Sequence, residues 1–300
     1  MREVRLLLER SGVPFTLDAP LHNFTTWKIG GPCDLLVSPR NAEEVSKCVR
    51  IFNDTGTPWM IIGKGSNLLV SDEGFRGAVL RLTGELDTVT FQGDRVTAGA
   101  GYSLITLSLQ AAKHGFTGLE FAGGIPGTVG GAVCMNAGAH GSDVSQTLAR
   151  ALVMNEAGEL AALEAAELQF GYRKSVIQHN RWVVLEATFS LLQDDRAAIA
   201  ERAKSFKEKR MRTQPLKQPS CGSVFRNPSP LFAAAVIESC GLKGHRIGGA
   251  KFSEIHANFI VNTGGAAAKD VLALIKLAEE RVQQEHGVTL EREVQFVGSL

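Results

Sequence analysis

The residues most suited to chemistry in this sequence are glycines. They gather in a few loops: Gly30-Gly31, Gly63-Lys64-Gly65-Ser66-Asn67, Gly99 and Gly101, Gly123-Gly124-Ile125-Pro126-Gly127-Thr128-Val129-Gly130-Gly131, and Gly248-Gly249. Three of these loops follow strand candidates. Glycine lets main-chain N–H groups come close to an anion, and successive N–H groups in such turns form a concave nest for phosphate. Two such nests in one chain point to a ligand with more than one phosphate. Glycine also punctuates ordinary turns, but five glycines in the nine residues 123–131 go beyond that use. The common nucleotide motifs fail. Gly63-x-Gly65 and Gly99-x-Gly101 lack the third glycine of G-x-G-x-x-G, and Gly63-Lys64 lacks the leading glycine and the Ser/Thr beside the lysine of a P-loop. The five cysteines form no CxxC pair, and the seven histidines form no HxxxH or H-x-E pattern, so no metal is expected.

The elements that must hold these loops read as mixed α and β. Asn41 is an N-cap candidate with Glu44 three residues on, followed by Val45, Cys48, Val49 and Phe52 at helical spacing. Short strands are predicted at 60–62, 68–70 and 78–82, with a hairpin of 88–91 and 95–98 turning at Gly93-Asp94. A helix from Ser103 ends at Gly115. A second two-stranded unit turns at 156–158, and 182–192 reads as a long strand. A cationic, helical stretch follows from Asp194 to Arg212. Helices at 230–240 and 269–286, a strand at 256–262 and an alternating final strand, LEREVQFVG, complete the chain.

The 300 residues are ample for a buried core. Lys plus Arg at 32 against Asp plus Glu at 31 leaves no cationic surplus for nucleic acid or an anionic membrane. Glycine at 32 with only 10 prolines places the excess in structured turns rather than in disorder. The odd cysteine count fits a reducing compartment, and the charged N-terminal MREVRLLLERSG is no signal peptide. A cytoplasmic protein without an obligate protein partner is expected.

Seven strings, in order, carry a resemblance: TWKIGGPCDLLV (26–37), GKGSNLLVSD (63–72), EFAGGIPGTVGGAVCMNAGA (120–139), GYRKS (171–175), QPSCGSVFRNP (218–228), GLKGHRIGGAKFSEIHANFIVN (241–262) and LEREVQFVG (290–298). The chain resembles the UDP-N-acetylenolpyruvoylglucosamine reductase (MurB) family of bacterial peptidoglycan synthesis, in its shorter subtype. The resemblance implies an α+β fold. An FAD-binding module of the PCMH/vanillyl-alcohol-oxidase type would have two α/β subdomains, residues 1–75 and 76–195. A C-terminal α+β substrate-binding domain, 196–300, would follow, its last strand (about 290–300) returning to the active site. FAD would lie on Gly63, Lys64, Gly65, Ser66, Asn67 and Leu68 and on Gly123, Gly124, Ile125, Pro126, Gly127, Thr128, Gly130, Gly131 and Ala132. A side chain at Gly63, Gly65, Gly123, Gly124, Gly127 or Gly130 would then collide with FAD or strain the backbone holding it.

The family's reaction, as the resemblance implies it, takes electrons from NADPH and reduces the enolpyruvyl ether of UDP-N-acetylglucosamine enolpyruvate. Such chemistry calls for a fixed cation, a proton donor and a further acid. Arg173 matches the family's arginine, and its planar fork suits a carboxylate. Ser223 matches the serine that donates the proton, and Glu293 matches the glutamate. Strand alternation alone puts Glu291 on the same face as Glu293 and prefers neither. Tyr172, Lys217, Arg226, Asn227, Lys251 and His256 fall where the family meets the sugar nucleotide. Ala235 stands where a cation is usual, so the diphosphate partner stays open. Cys134 and Cys221 are read as packing residues. Two rival classes share part of this pattern: a small-alcohol or lactone oxidase on the same flavin module, and a non-catalytic nucleotide or flavin carrier. Neither needs the Arg173, Ser223 and Glu293 trio.

Overall fold

The computed structural model describes residues 1–299. Contacts group the chain into two compact units, and neither is a continuous stretch of sequence. The first takes Met1–Leu17, Leu35–Gly63 and Gly77–Lys209, and the second takes Asp18–Asp34, Lys64–Arg76 and the chain from Arg210 onward.

The first unit carries helices α1 (Arg2–Ser11), α2 (Ala42–Asp54), α3 (Leu104–Lys113), α4 (Val129–Cys134) and most of α5 (Arg196–Thr213). Its main sheet is antiparallel, in the order Leu160–Glu164, Leu148–Met154, Val183–Ser190, Arg95–Gly99, Val89–Gln92. Val183–Ser190 sits at its centre and is buried at six of eight positions, so it reads as a continuous apolar run rather than an alternating one. Trp59–Ile61 also runs parallel to the end of the Phe75–Leu80 strand, with Trp59 opposite Ala78. The predicted Asn41 cap forms, its side chain accepting the Glu44 N–H, and Ser103, where the next helix is expected to begin, accepts the Thr106 N–H. One face of α2 (Val45, Cys48, Val49, Phe52) is buried, as its spacing predicts.

The second unit is built around α7 (Ala268–His286) and α6 (Ala233–Ser239), with a three-stranded antiparallel sheet of Arg246–Ile247, Ala250–Phe252 and Ile260–Asn262. Asp72 caps α7 by accepting the Ala268 and Lys269 N–H groups. The fully buried Trp27 donates its indole N–H to the Ile260 carbonyl at 2.7 Å, and the Asn262 amide donates to the Trp27 carbonyl. Leu68–Val70 pairs in parallel with Gln295–Val297.

These links explain why the boundaries expected at 75/76 and 195/196 do not match the compact units. Residues 18–34 and 64–76 pack with the C-terminal chain through Trp27 and the Leu68–Val70 pairing, while α5 up to Lys209 belongs with the first unit through Arg202 and Phe206. Three elements also differ from expectation. The run Val129–Cys134 is helical although glycine-rich, only Ile260–Asn262 of the 256–262 strand forms, and only Gln295–Val297 of the final strand forms. At 256–259 the chain turns instead, the Phe259 N–H donating to the His256 carbonyl. The N-terminal segment forms α1, with Val4 and Leu8 buried and Gly12 ending it in a left-handed conformation. Among the described residues no helix is long and apolar enough to cross a membrane.

One buried carboxylate ties α5 to this unit. Glu120 accepts from the Thr117 hydroxyl, the Gly118 N–H and the Arg202 guanidinium, and Arg202 also reaches Asp194. Burial by itself would raise the Glu120 pKa, but the hydrogen bonds outweigh it and hold the group below its ordinary 4.5. A lowered folded-state pKa contributes stability that is complete above the ordinary value and is lost as pH falls through the lowered one. Urea unfolding of Glu120→Gln should therefore show a lower midpoint than the parent at neutral pH and a shallower loss of stability below pH ~4.5. Equal acid slopes in the two proteins would contradict the assignment.

Candidate active site

In the first unit the glycine run is pinned by its own neighbours. Thr128 forms an antiparallel bridge with Ser103, flanked by Leu104 N–H to Gly127 carbonyl and Val129 N–H to Tyr102 carbonyl. Its side chain caps α4 by accepting the Gly131 N–H. The Gly130 N–H donates to the Ala100 carbonyl, and a Cβ on Gly130 would lie 2.8 Å from the Ala100 Cβ. A Cβ on Gly63 would lie 2.5 Å from the Thr128 hydroxyl oxygen. Close backbone approach therefore explains glycine here, at a helix cost of about 1 kcal/mol relative to alanine for Gly130. Among the described residues, the N–H groups of Gly127 and Thr128 have no hydrogen-bond partner.

The other glycine loop continues from Gly63 into the second unit. Gly65 takes φ +58°, its carbonyl accepts the Thr26 N–H, and a Cβ there would meet the Phe24 carbonyl oxygen at 2.3 Å. The N–H groups of Lys64, Gly65 and Ser66 are without partners among the described residues. Each of the two loops by itself presents consecutive N–H donors without partners among the described residues, the kind of nest that phosphate oxygens occupy. The residues fit FAD in this respect. At Gly63, Gly65 and Gly130 a side chain would meet the protein's own atoms, the second of the two constraints expected there. At Gly123 a Cβ would meet only the Ser108 hydroxyl, at 3.3 Å.

Arg173 is held by the chain that leaves α4. Gly171 and Lys174 form a two-residue bridge that bends the backbone through Arg173 at φ +55°. A left-handed arginine costs on the order of 1–3 kcal/mol and persists only when its surroundings over-determine it. They do so here. Asn136, 2% exposed, donates to the Gly171 carbonyl and accepts the Ser145 N–H. Gln178 donates to the carbonyls of Arg173 and Cys134, and Ser175 donates to Cys134. The guanidinium donates to the Gly138 carbonyl at 2.7 Å and lies 5.2 Å from the ring centre of Tyr172, which is exposed. Asn136 and Gln178 were not singled out from the sequence.

Ser223 and Glu293 both lie in the second unit, on adjacent segments. The Glu293 N–H donates to the Val224 carbonyl at 2.8 Å, with a weaker bond from the Val294 N–H, and Phe225 bridges Arg292 antiparallel. Asn67 in the glycine loop donates its amide to the Glu293 carbonyl, while its own carbonyl accepts the Gln295 N–H. The structure also separates Glu291 from Glu293. Glu291 is mostly exposed and paired with Arg226 at 2.5 Å, whereas Glu293 is half-buried beside Cys221.

The remaining candidates in this unit are less uniform. His256 accepts the Asn258 N–H at Nδ1 and meets Phe259 edge-on, and burial lowers its pKa below 6.5, so the neutral ring keeps its proton on Nε2. Lys251 pairs with Glu254, Lys217 is exposed, and the Asn227 side chain accepts the Ala233 N–H at the start of α6. Ala235 is exposed. The cysteines are free, and burial pushes Cys134 up to about 11 and Cys221 well above 9.0, in keeping with packing roles. Cys240, Glu285 and His286 bring ligand-type atoms within 4.8 Å of one another at the ends of α6 and α7, a grouping no sequence spacing announces. Arg281 pairs with Glu285 there and opposes a cation.

Comparison with known proteins gives the family. Residues 33–164 match the FAD binding domain model, and residues 214–297 match the model of the UDP-N-acetylenolpyruvoylglucosamine reductase C-terminal domain. The chain is 48% identical to UDP-N-acetylenolpyruvoylglucosamine reductase of Bacillus velezensis over 99% of this chain and 96% of that one. The Bacillus subtilis protein of the same name is 46% identical over 98% of both. The crystal structure of UDP-N-acetylenolpyruvylglucosamine reductase (MurB) from Thermus caldophilus superposes with a TM-score of 0.82 at 38% identity, covering 95% of this chain and 99% of that one. Glycine loops built to present N–H donors, a strained arginine and a serine–glutamate pair thus sit in a chain that belongs to the UDP-N-acetylenolpyruvoylglucosamine reductase family.

Proposed function

We propose that this protein reduces the enolpyruvyl ether of UDP-N-acetylglucosamine enolpyruvate to UDP-N-acetylmuramate for peptidoglycan synthesis, with FAD bound and NADPH as electron donor. The observation that carries the reading is the Ser223–Glu293 arrangement, in which a hydroxyl and a carboxyl are set on neighbouring segments by the shared Val224 carbonyl. Main-chain N–H groups of Lys64, Gly65 and Ser66 in one unit, and of Gly127 and Thr128 in the other, are the donors open to phosphate oxygens of FAD. When bound, FAD supplies hydride equivalents. The five unpaired cysteines suit the cytoplasm, where UDP-sugar precursors are handled.

The chain's own residues would then manage charge and protons. Addition of hydride to the enolpyruvyl methylene leaves negative charge on the carboxylate and the ether-bearing carbon. Arg173, always protonated and fixed by its loop, would neutralise the carboxylate as that charge grows. Ser223 would give its hydroxyl proton to the ether-bearing carbon, which completes the reduction with one hydride and one proton added across the double bond. Glu293 would act as the further acid or hydrogen-bond partner that makes a serine competent for this task. His256, neutral with Nε2–H, and the cations Lys217, Arg226 and Lys251 would meet the sugar nucleotide, with Tyr172 and Asn227.

Anaerobic stopped-flow absorbance separates the two halves. In Ser223→Ala, NADPH should bleach the flavin at close to the parent rate, and reoxidation by the enolpyruvyl nucleotide should slow at least ~100-fold. Equal slowing of both halves would remove Ser223 from the proton step. Gly65→Ala should lower the flavin-to-protein ratio on purification, because any side chain at φ +58° is strained and meets the Phe24 carbonyl. Full flavin content in that variant would contradict the loop's role.

A further inference from the structure

We infer that Asn258 is a positioning residue for the Ser223 hydroxyl, an inference that rests on Ser223 being the proton donor. The segment that follows Ser223 is not part of a regular sheet. Its main-chain groups are satisfied at single points, and Asn258 supplies three of the four at Val224 and Phe225. The Asn258 carbonyl accepts the Val224 N–H at 2.9 Å. The Asn258 side chain accepts the Phe225 N–H at 2.9 Å and donates to the Phe225 carbonyl at 2.8 Å. The fourth group, the Val224 carbonyl, takes the Glu293 and Val294 N–H groups. One side-chain amide thus substitutes for a neighbouring strand, and its donor and acceptor ends are assigned by the carbonyl and the N–H that they face.

The burial and the surroundings make this amide hard to replace. Asn258 is 2% exposed, and Phe225 is 1% exposed, so loss of the amide leaves both polar groups of Phe225 without water or partner. Upstream, Ser223 follows Gly222 at φ +83°, a residue with no neighbour within 4 Å of its Cβ position. The upstream Ser220–Val261 bridge and the downstream Asn258 clamp therefore bracket the serine, with the clamp starting at the very next residue. The turn that carries Asn258 also carries His256, whose Nδ1 accepts the Asn258 N–H, so one turn sets a substrate-facing candidate and the register of Ser223 together.

Asparagine is the residue type this geometry demands. Aspartate keeps the shape and the acceptor for the Phe225 N–H, but its second oxygen faces the Phe225 carbonyl. Only the protonated acid can donate there. The test is Asn258→Asp in the flavin-loaded enzyme, with the half-reactions followed separately across pH. The parent profile, which carries any titration of the flanking His256, Glu293 and Cys221, is the reference. Reoxidation by the enolpyruvyl nucleotide should slow by about 10- to 100-fold at neutral pH and recover as pH falls, while flavin reduction by NADPH stays within about twofold of the parent. Amide exchange at Val224 and Phe225 should accelerate in the variant at neutral pH and slow again at acidic pH. The Ser223→Ala/Asn258→Asp double variant should be no slower than Ser223→Ala alone. Loss of flavin, equal slowing of both half-reactions, a pH-independent defect, or multiplied defects in the double variant would overturn the inference. If Ser223→Ala itself reoxidises at the parent rate, the proton-donor reading falls, and this inference falls with it.

Discussion

The hydrogen bond from the Glu293 N–H to the Val224 carbonyl is the constraint on which the second unit's chemistry depends. It joins two segments that both lack regular pairing at that point, and it places a carboxyl-bearing residue next to a hydroxyl-bearing one. Everything around it supports the same register. On one side Asn67 holds Glu293 and Gln295, and Leu68–Val70 runs beside Gln295–Val297; on the other, Asn258 holds Val224 and Phe225. A hydrogen-bonded layer therefore runs from the glycine loop through residues 293–297 and 224–225 to Asn258. Displacing any member shifts the geometry between Ser223 and Glu293 rather than merely loosening a surface strand.

The first unit relies on α4 in a comparable way. Its N-terminal cap, Thr128, receives the close approach of Gly63, and the chain leaving its C-terminus supplies Cys134, Asn136 and Gly138, which hold the Arg173 loop. Both a donor-rich loop and a strained arginine are referred to one short helix. Its glycines weaken the helix intrinsically, by about 1 kcal/mol each relative to alanine. Gly130 is tolerated because Ala100 packs where its Cβ would otherwise be.

Much of this was legible in the sequence, for identifiable reasons. Asn41 and Ser103 announce their helices because a capping side chain is a local signal, and the apolar spacing of α2 and α7 is that of one buried face. The glycine loops stand out because N–H donation needs that residue type. Other features had no local signal. Trp27 bonds Ile260 across 233 residues, and no composition shift marks such a pairing. The glycine run reads as a loop by propensity and becomes α4 because tertiary approach overrides propensity. Glu291 and Glu293 share a face by alternation, and only the Arg226 pairing and burial distinguish them. Asn136 and Asn258 resemble ordinary turn asparagines until their burial and both ends of their amides are seen.

In the proposed reaction an enzyme-held hydroxyl delivers the proton to one face of the ether-bearing carbon while hydride goes to the methylene. Turnover in deuterium oxide with unlabelled NADPH, followed by NMR of the product, tests it most directly. One deuterium is expected on the ether-bearing carbon, in a single configuration. A mixture of configurations at that carbon would contradict it.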